Sequence, residues 1–234
     1  MRIISWNVHS LTAGPEKVAA ALLDEEPSLI ALQEYPSGPN AAAAEAIFAA
    51  NGLAPFKRHA KARPFRTIVF APQGARLSPS PPDLVENDPF WVDVQLSSLG
   101  VSAAHIAIPK NAALREMHWQ VALSLVSSRR DAAHILIGDL NTTRHGIDQE
   151  GATISGDHHL QTLEAAGWSE AWRSTHAAPA PREYSWYYKD IGFRFDQAWL
   201  SPTLAPRLIG AHMNHDVRER GLSDHSMLVV DVDV

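Results

Sequence analysis

At residues 134–143 the sequence reads HILIGDLNTT, an apolar run whose polar residues come almost entirely at its end. A second run of the same form, SLIALQE, stands at 28–34 and ends in a glutamate. Strands that are apolar on both faces are typical of sheets covered on both sides, as in proteins that pack helices against a sheet. These two stretches therefore predict an α/β fold.

Helix-like and strand-like segments alternate along the rest of the chain, as an α/β fold requires. Helices are predicted at 15–26, 40–50, 112–128 and 157–166, the first with Pro15 in its opening turn. Further strand-like runs are RIISWNV, RTIVFAP, FWVDVQL, VSAAHIAI, RFDQAWL and SMLVVDV.

The predicted strands are not all of one kind, so we expect mixed sheets. In FWVDVQL, apolar residues alternate with Asp93 and Gln95, which predicts a strand with one wetter face. The proline-rich SPSPPD at 78–83 is short enough for a loop and too short for a linker between domains. No repeat or boundary divides the chain, and we expect one domain over residues 1–234.

The composition is that of a globular protein with a substantial core: 234 residues, of which 45% are hydrophobic. The absence of cysteine excludes disulfides, thiolate metal sites and cysteine nucleophiles. The N-terminus reads as a strand rather than a signal peptide, and no apolar stretch approaches the roughly 20 residues of a membrane span. We expect a cytoplasmic monomer without membrane insertion.

The net charge of −6 gives no overall attraction to nucleic acid, so contacts with a polyanion must come from local patches. VRER contains Arg218 and Arg220, and KRHAKARPFR contains five basic residues: Lys57, Arg58, Lys61, Arg63 and Arg66. Both patches are compatible with substrate binding and with ordinary solvated surface charge.

Polar side chains recur at the ends of the predicted strands, where residues from distant parts of a chain can converge on one cleft. They are Asn7, Glu34, Asp139, Asn141, Asp196, Asp224 and His225. Carboxylates, amides and one imidazole without cysteine suit Mg²⁺ or Mn²⁺ better than zinc. Such a cation would suit a phosphate substrate, because it neutralises phosphoryl oxygens.

Five segments resemble, in order, the motifs of the endonuclease/exonuclease/phosphatase superfamily: SWNV, LIALQE, HILIGDLNTT, GFRFDQAWLS and GLSDHSMLVV. The resemblance extends from residue 3 to residue 232. It implies a four-layer α/β sandwich, in which two mixed β-sheets pack face to face with helices outside. It also implies a metal-dependent phosphoesterase.

The resemblance implies a role for each strand-end residue. Glu34 would be the principal metal ligand for Mg²⁺, or Mn²⁺, with Asn7 beside it and Asp224 assisting the metal or the water. Asp139 would position or deprotonate the attacking water, and Asn141 would hold a phosphate oxygen. His225, oriented by Asp196, would contact the scissile phosphate.

Two further features bear on the subfamily and the substrate. His105 matches a strand position where family members often carry a phosphate-contacting histidine and abasic-site nucleases a tyrosine; a core histidine is the alternative. Arg115 resembles a position that stabilises the structure. Tyr187 and Tyr188, in an aromatic-rich segment before Asp196, could stack on bases, or could pack within a hairpin.

The leading interpretation is a Mg²⁺-dependent phosphodiesterase that cleaves DNA or RNA by in-line attack of water. Substrate binding would involve Arg58, Lys61, Arg63, Tyr187 and Tyr188. A phosphatase or phosphodiesterase acting on a small or lipid phosphate ester is the alternative within the same chemistry. A non-catalytic binding module is a third hypothesis, although binding alone gives no reason to retain Asp139. DNA against RNA and endonuclease against exonuclease stay open.

Overall fold

The computed structural model describes residues 1–58, 65–79, 88–151, 154, 156–176 and 182–234. Within these ranges lie six α-helices: α1 (Pro15–Leu23), α2 (Pro39–Ala50), α3 (Ala112–Ser128), α4 (Asp157–Ala165), α5 (Ala171–Thr175) and α6 (Asp216–Glu219). The strands are β1 (Arg2–Asn7), β2 (Leu29–Pro36), β3 (Leu53–Phe56), β4 (Phe65–Pro72), β5 (Arg76–Leu77), β6 (Trp91–Leu96), β7 (Leu99–His105), β8 (His134–Asp139), β9 (Ser169–Glu170), β10 (Trp186–Tyr188), β11 (Ile191–Phe193), β12 (Asp196–Leu200), β13 (Leu208–Asn214) and β14 (Met227–Val232).

The strands form two six-stranded sheets and one small hairpin. The first sheet has the order β13-β14-β1-β2-β4-β3, the second β5-β6-β7-β8-β12-β9, and β10 pairs with β11. One pair in each sheet is parallel, β1 with β2 and β7 with β8, while the other pairs are antiparallel. The sheets are therefore mixed, and the predicted fold class is confirmed.

Three apolar clusters hold the layers together. Between the sheets, Ile3 and Val69 of the first meet Val101 and Ile137 of the second in one cluster. A second cluster packs α1 and α2 against the outer face of the first sheet, and a third packs α3 and α4 against the second sheet, around Trp119. The layer order is helix, sheet, sheet, helix.

The predicted helices differ little from those observed. The first ends at Leu23 rather than residue 26, because Glu26 adopts a left-handed backbone conformation (φ 53°) immediately before Pro27. The loop predicted at 78–83 lies mostly outside the described residues, and a single domain stays a prediction. In the part of the chain that is described, no helix combines the length and apolar character of a membrane span.

The prediction of a wetter face on β6 is wrong for Asp93. Gln95 is exposed, but Asp93 is buried, and Trp91, two residues earlier on the same face of β6, is buried as well. Asp93 accepts a hydrogen bond from Ser102 on β7, whose hydroxyl also contacts His134 Nε2 at 2.8 Å. Burial raises the pKa of Asp93, although the hydrogen bond from Ser102 and the charge of Arg58 oppose this shift. The alternation of apolar and polar residues in β6 therefore did not indicate the buried polar cluster of Asp93, Ser102 and His134.

Candidate active site

A cleft of about 390 Å³ opens where the ends of strands from both sheets meet. The residues that line it include five of those predicted for the site together with four that were not: Glu34, Asp139, Asn141, Asp224, His225, Ile108, Lys110, Trp186 and Phe195. The strand-end pattern in the sequence therefore corresponds to one location in the molecule.

Strand register explains why the residues converge. Asp139 ends β8, where it is paired with His105 of parallel β7 and with Asp196 of antiparallel β12. Across the sandwich, Asn7 ends β1, and its Nδ2 donates to Asp139 Oδ2 at 3.1 Å. The described contacts of Asp139 thus join the two sheets at the floor of the cleft.

Asp196 and His225 form a buried pair, with 2.8 Å between Asp196 Oδ2 and His225 Nδ1. Burial alone would lower the pKa of His225, but the charge and hydrogen bond of Asp196, helped by the charge of Asp139, raise it to about 9. The imidazole is therefore charged at neutral pH. Because an ionised carboxylate only accepts hydrogen bonds, Nδ1 donates to Asp196.

Asp139 and His105 have a different electrostatic character from His225. Burial raises the pKa of Asp139 to about 6, although the positive charge of His225 opposes this shift. Asn141 N donates to Asp139 Oδ1 at 3.0 Å, and His105 Nε2 lies 3.6 Å from Asp139 Oδ2. Burial lowers the pKa of His105 to about 4, so His105 is neutral near pH 7. The carboxylate of Asp139 and the imidazolium of His225 thus line the cleft, with the neutral imidazole of His105 beside Asp139.

Two of the cleft residues have unusual backbone conformations. Glu34 has φ 51° and Asn141 has φ 45°, in the left-handed region that non-glycine residues rarely adopt. At Glu34 the register between β2 and β4 shifts between Leu32 and Tyr35, which is a bulge. Bulges redirect side chains, and strained backbone of this kind clusters at functional sites.

The donor atoms fit a hard divalent cation. The Glu34 carboxylate is partly buried and has no hydrogen-bond donor or salt-bridge partner among the described residues. Asp224 accepts from Trp186 Nε1 at 3.0 Å and lies 3.2 Å from His9 Nδ1. The described residues contain no ready-made cluster of three or more His, Cys, Asp or Glu ligands. Mg²⁺ is commonly held by one or two carboxylates completed by water and substrate phosphate, which is the arrangement that Glu34 can support.

The two predicted substrate-binding tyrosines lie on opposite faces of the β10–β11 hairpin, because side chains alternate along a strand. Tyr188 is 57% exposed and shares a face with Trp186, the rings lying 6.3 Å apart. Tyr187 instead carries the Arg218 guanidinium 4.6 Å above its ring. Of the two tyrosines, only Tyr188 therefore lies on the same face of the hairpin as Trp186, which lines the cleft.

None of the described residues of the basic run, Lys57, Arg58 and Arg66, lines the cleft. Arg58 is only 11% exposed and pairs with Asp93 at 3.3 Å, and it also donates to the carbonyls of Trp91 and Ser78. Its guanidinium is held by these groups, so Arg58 is not retained as a substrate-binding residue. Lys57 pairs with Glu45, and Arg66 donates to Ser37. Lys61 and Arg63 lie outside the described residues.

The structure adds residues that the sequence did not single out. Lys110 and Ile108 reach the cleft from the loop after β7, and neither shows a periodic pattern that could have identified it. Arg115, expected to stabilise the structure, donates from Nη2 to the carbonyl of Asn141 at 3.1 Å and to Thr142 Oγ1 at 2.7 Å. Arg115 therefore supports the segment that carries Asn141.

Comparison with known proteins identifies a family and several structures of the same shape. The model of the Endonuclease/Exonuclease/phosphatase family matches residues 4–225. A search of curated proteins gave no match. An AP endonuclease from Archaeoglobus fulgidus is similar, with a TM-score of 0.85, 17% identity and 100% of both chains covered.

Two structures from Neisseria are also similar over 100% of both chains at 19% identity. One is the 3′ phosphatase NExo bound to a product DNA hairpin, with a TM-score of 0.82. The other is the 3′-5′ exonuclease NExo from Neisseria meningitidis, with a TM-score of 0.81. At such identities these similarities show a common fold.

Proposed function

The chain belongs to the Endonuclease/Exonuclease/phosphatase family and is a phosphoric ester hydrolase, and we propose that it is a divalent-metal-dependent nuclease that cleaves phosphodiester bonds in the cleft. The observation that carries this proposal is the buried Asp196–His225 pair beside Asp139. This arrangement places a positive charge and a carboxylate together, as phosphoryl transfer to water requires.

Each of the central residues has a chemical task in such a reaction. Asp139, whose pKa is about 6, is mostly ionised at neutral pH and can accept the proton of an attacking water. The His225 imidazolium stabilises negative charge on a phosphate oxygen and has a proton to donate. Neutral His105 and the Asn141 amide can donate hydrogen bonds without adding charge. Positioning and electrostatics of this kind supply most of the acceleration in phosphate chemistry.

Glu34 is the residue that we assign to the metal, with Asn7 as its neighbour. A divalent cation bound there would neutralise phosphate oxygens and stabilise the leaving oxygen. Asp224 Oδ2 already accepts a hydrogen bond from Trp186 Nε1, and its other oxygen lies 3.2 Å from His9 Nδ1, so we assign Asp224 an auxiliary role. Mg²⁺ is the expected ion and Mn²⁺ an acceptable substitute.

Nucleic acid is the proposed substrate class. Trp186 and Tyr188 offer an aromatic face that can stack on bases or pack on sugars. Lys110 is the one Lys or Arg among the cleft-lining residues of the described chain, and it has no ion-pair partner there. The Neisseria relative bound to a DNA hairpin and the Archaeoglobus AP endonuclease support the same substrate class.

A second candidate is a phosphatase or phosphodiesterase acting on a small or lipid phosphate ester. The observation that favours it is that Lys57, Arg58 and Arg66 are all engaged within the protein. The basic run therefore provides less free positive charge for a polyanion than its sequence suggested. With a net charge of −6, attraction to a polyanion must come from a few local residues, of which Lys110 is the one in the described lining of the cleft.

An activity screen with Mg²⁺ separates the two candidates. The substrates are a DNA duplex, single-stranded DNA and RNA, an abasic duplex, bis-p-nitrophenyl phosphate and inositol phosphates. The variant Lys110→Ala is compared with the wild type and with Lys17→Ala, which removes an exposed lysine on α1. If the substrate is nucleic acid, Lys110→Ala should raise KM on it and reduce the salt slope by about one, leaving bis-p-nitrophenyl phosphate hydrolysis unchanged. Hydrolysis of small esters alone would favour the second candidate.

A further inference from the structure

The Asp196–His225 pair bridges the two sheets of the sandwich. Asp196 begins β12 of the second sheet, whereas His225 lies just before β14 of the first. No ladder of sheet hydrogen bonds therefore sets the distance between the two residues. The 2.8 Å contact joins side chains from separate sheets. Interactions outside the sheet ladders must therefore hold the backbones of Asp196 and His225 in place.

Ser185, directly before β10, is hydrogen-bonded to both segments. Its Oγ accepts from the backbone N–H of Phe195 at 3.0 Å and from that of Asp196 at 3.2 Å. Its carbonyl oxygen accepts from the N–H of Ser226, the residue after His225, at 2.8 Å. Ser185 is fully buried, so water cannot replace these bonds without a change in structure.

A second set of contacts fixes Ser226 from the other side. His215 Nδ1 lies 2.8 Å from Ser226 Oγ, and its Nε2 lies 2.9 Å from Glu183 Oε1. Arg218 Nε also donates to Ser226 Oγ at 3.0 Å. Glu183 is only two residues from Ser185, so one short segment contacts the Ser226 backbone directly through Ser185 and the Ser226 side chain by way of His215.

We propose that Ser185 is a positioning residue that holds Asp196 and His225 at hydrogen-bonding distance. Its hydroxyl fixes the backbone of Asp196, and its carbonyl fixes the backbone next to His225. Ser185 does not line the cleft, and it acts through the pair. The kinetic consequence rests on the proposed function, in which His225 contacts the phosphate, while the geometric consequence does not.

The test uses Ser185→Ala together with a matched control. Ser201 is also fully buried, and its Oγ likewise accepts two backbone N–H groups, those of His134 and Leu204, but it serves a different loop. Ser201→Ala therefore reproduces the loss of a buried acceptor without touching the pair. Ser185→Thr keeps the hydroxyl and is the rescue variant.

The first readout is the NMR signal of the His225 Nδ1 proton in protein labelled with ¹⁵N-histidine, assigned with His225→Gln. The signal should be shifted or broadened by exchange in Ser185→Ala and should be retained in Ser201→Ala and Ser185→Thr. The second readout is kcat, which should fall about 10-fold or more in Ser185→Ala with KM little changed. A misplacement of a catalytic group by about 1 Å can lower the rate about 100-fold.

The two readouts distinguish failure of this inference from failure of the proposed function. An unchanged His225 signal and an unchanged kcat in Ser185→Ala would overturn the positioning role. A changed signal in a protein that hydrolyses no nucleic acid would preserve the positioning role and reject the nuclease. If Ser185→Ala does not fold, Ser185→Cys takes its place, since its weaker acceptor should still perturb the signal. An unperturbed signal in Ser185→Cys would equally overturn the inference.

Discussion

Replacing Asp196 by asparagine should lower kcat about 100-fold at pH 7.5. In the wild-type protein the pKa of His225 is about 9, against an ordinary value of about 6.5. The difference is about 2.5 units, and each unit is worth about 1.4 kcal/mol, so the charged imidazole gains about 3 kcal/mol from its surroundings. Asp196 is the main source of this gain, and its loss leaves burial to favour the neutral ring.

The assay is a double-mutant cycle with Asp196→Asn, His225→Gln and the combined variant. Hydrolysis of bis-p-nitrophenyl phosphate and of a DNA duplex is measured at saturating Mg²⁺, and urea unfolding shows that each variant is folded. Each single variant should lose about 100-fold, and the double variant should lose little more, since residues that act as a unit are not additive. Losses that multiply would instead mean that Asp196 and His225 act separately, and would contradict this prediction.

Two further predictions concern stability. Burial lowers the pKa of His134 to about 3, below its ordinary value of about 6.5, so between these pH values only the unfolded chain binds the proton. His134 should therefore lower the free energy of unfolding by up to about 1.4 kcal/mol per pH unit as the pH falls from 6.5 toward 3. In urea unfolding, His134→Gln should reduce this pH dependence. Parallel plots of unfolding free energy against pH for the variant and the wild type would contradict the prediction. Gly138 has φ 150°, and an added Cβ would collide with the Ala104 carbonyl oxygen of the neighbouring strand, so Gly138→Ala should destabilise by about 3 kcal/mol or more in thermal unfolding. A loss below about 1 kcal/mol would contradict this.

The fold class and the position of the cleft could be read from local patterns. Runs such as 134–140 and 28–34 are apolar on both faces, which required a covered sheet, and both lie in six-stranded sheets packed under helices. Their polar ends mark where the strands stop, and register then brings Asp139, His105 and Asp196 side by side. Hydrophobic periodicity and the ends of strands are local properties, so they can be predicted directly from the sequence.

What could not be predicted depends on contacts between distant segments. Nothing in the sequence indicated that Arg58 is paired, because its partner, Asp93, lies 35 residues away. The alternation around Asp93 indicated a solvent-facing side chain. Lys110 lies in a loop with no periodic signal, and Ser185 acts through backbone groups of Asp196 and Ser226. Sequence spacing contains no information about such partners until the sheets are assembled.

The metal-dependent mechanism is tested most directly by the metal dependence of hydrolysis by the wild type and by Glu34→Gln, with Glu16→Gln on the exposed face of α1 as a control. Metal-free protein is titrated with Mg²⁺ on a DNA duplex and on bis-p-nitrophenyl phosphate, and urea unfolding verifies that the fold is intact. We expect no turnover in EDTA, restoration of turnover by Mg²⁺ in the wild type and in Glu16→Gln, and loss of most activity in Glu34→Gln at limiting Mg²⁺. Turnover in EDTA, or undiminished turnover by Glu34→Gln at limiting Mg²⁺, would contradict this mechanism.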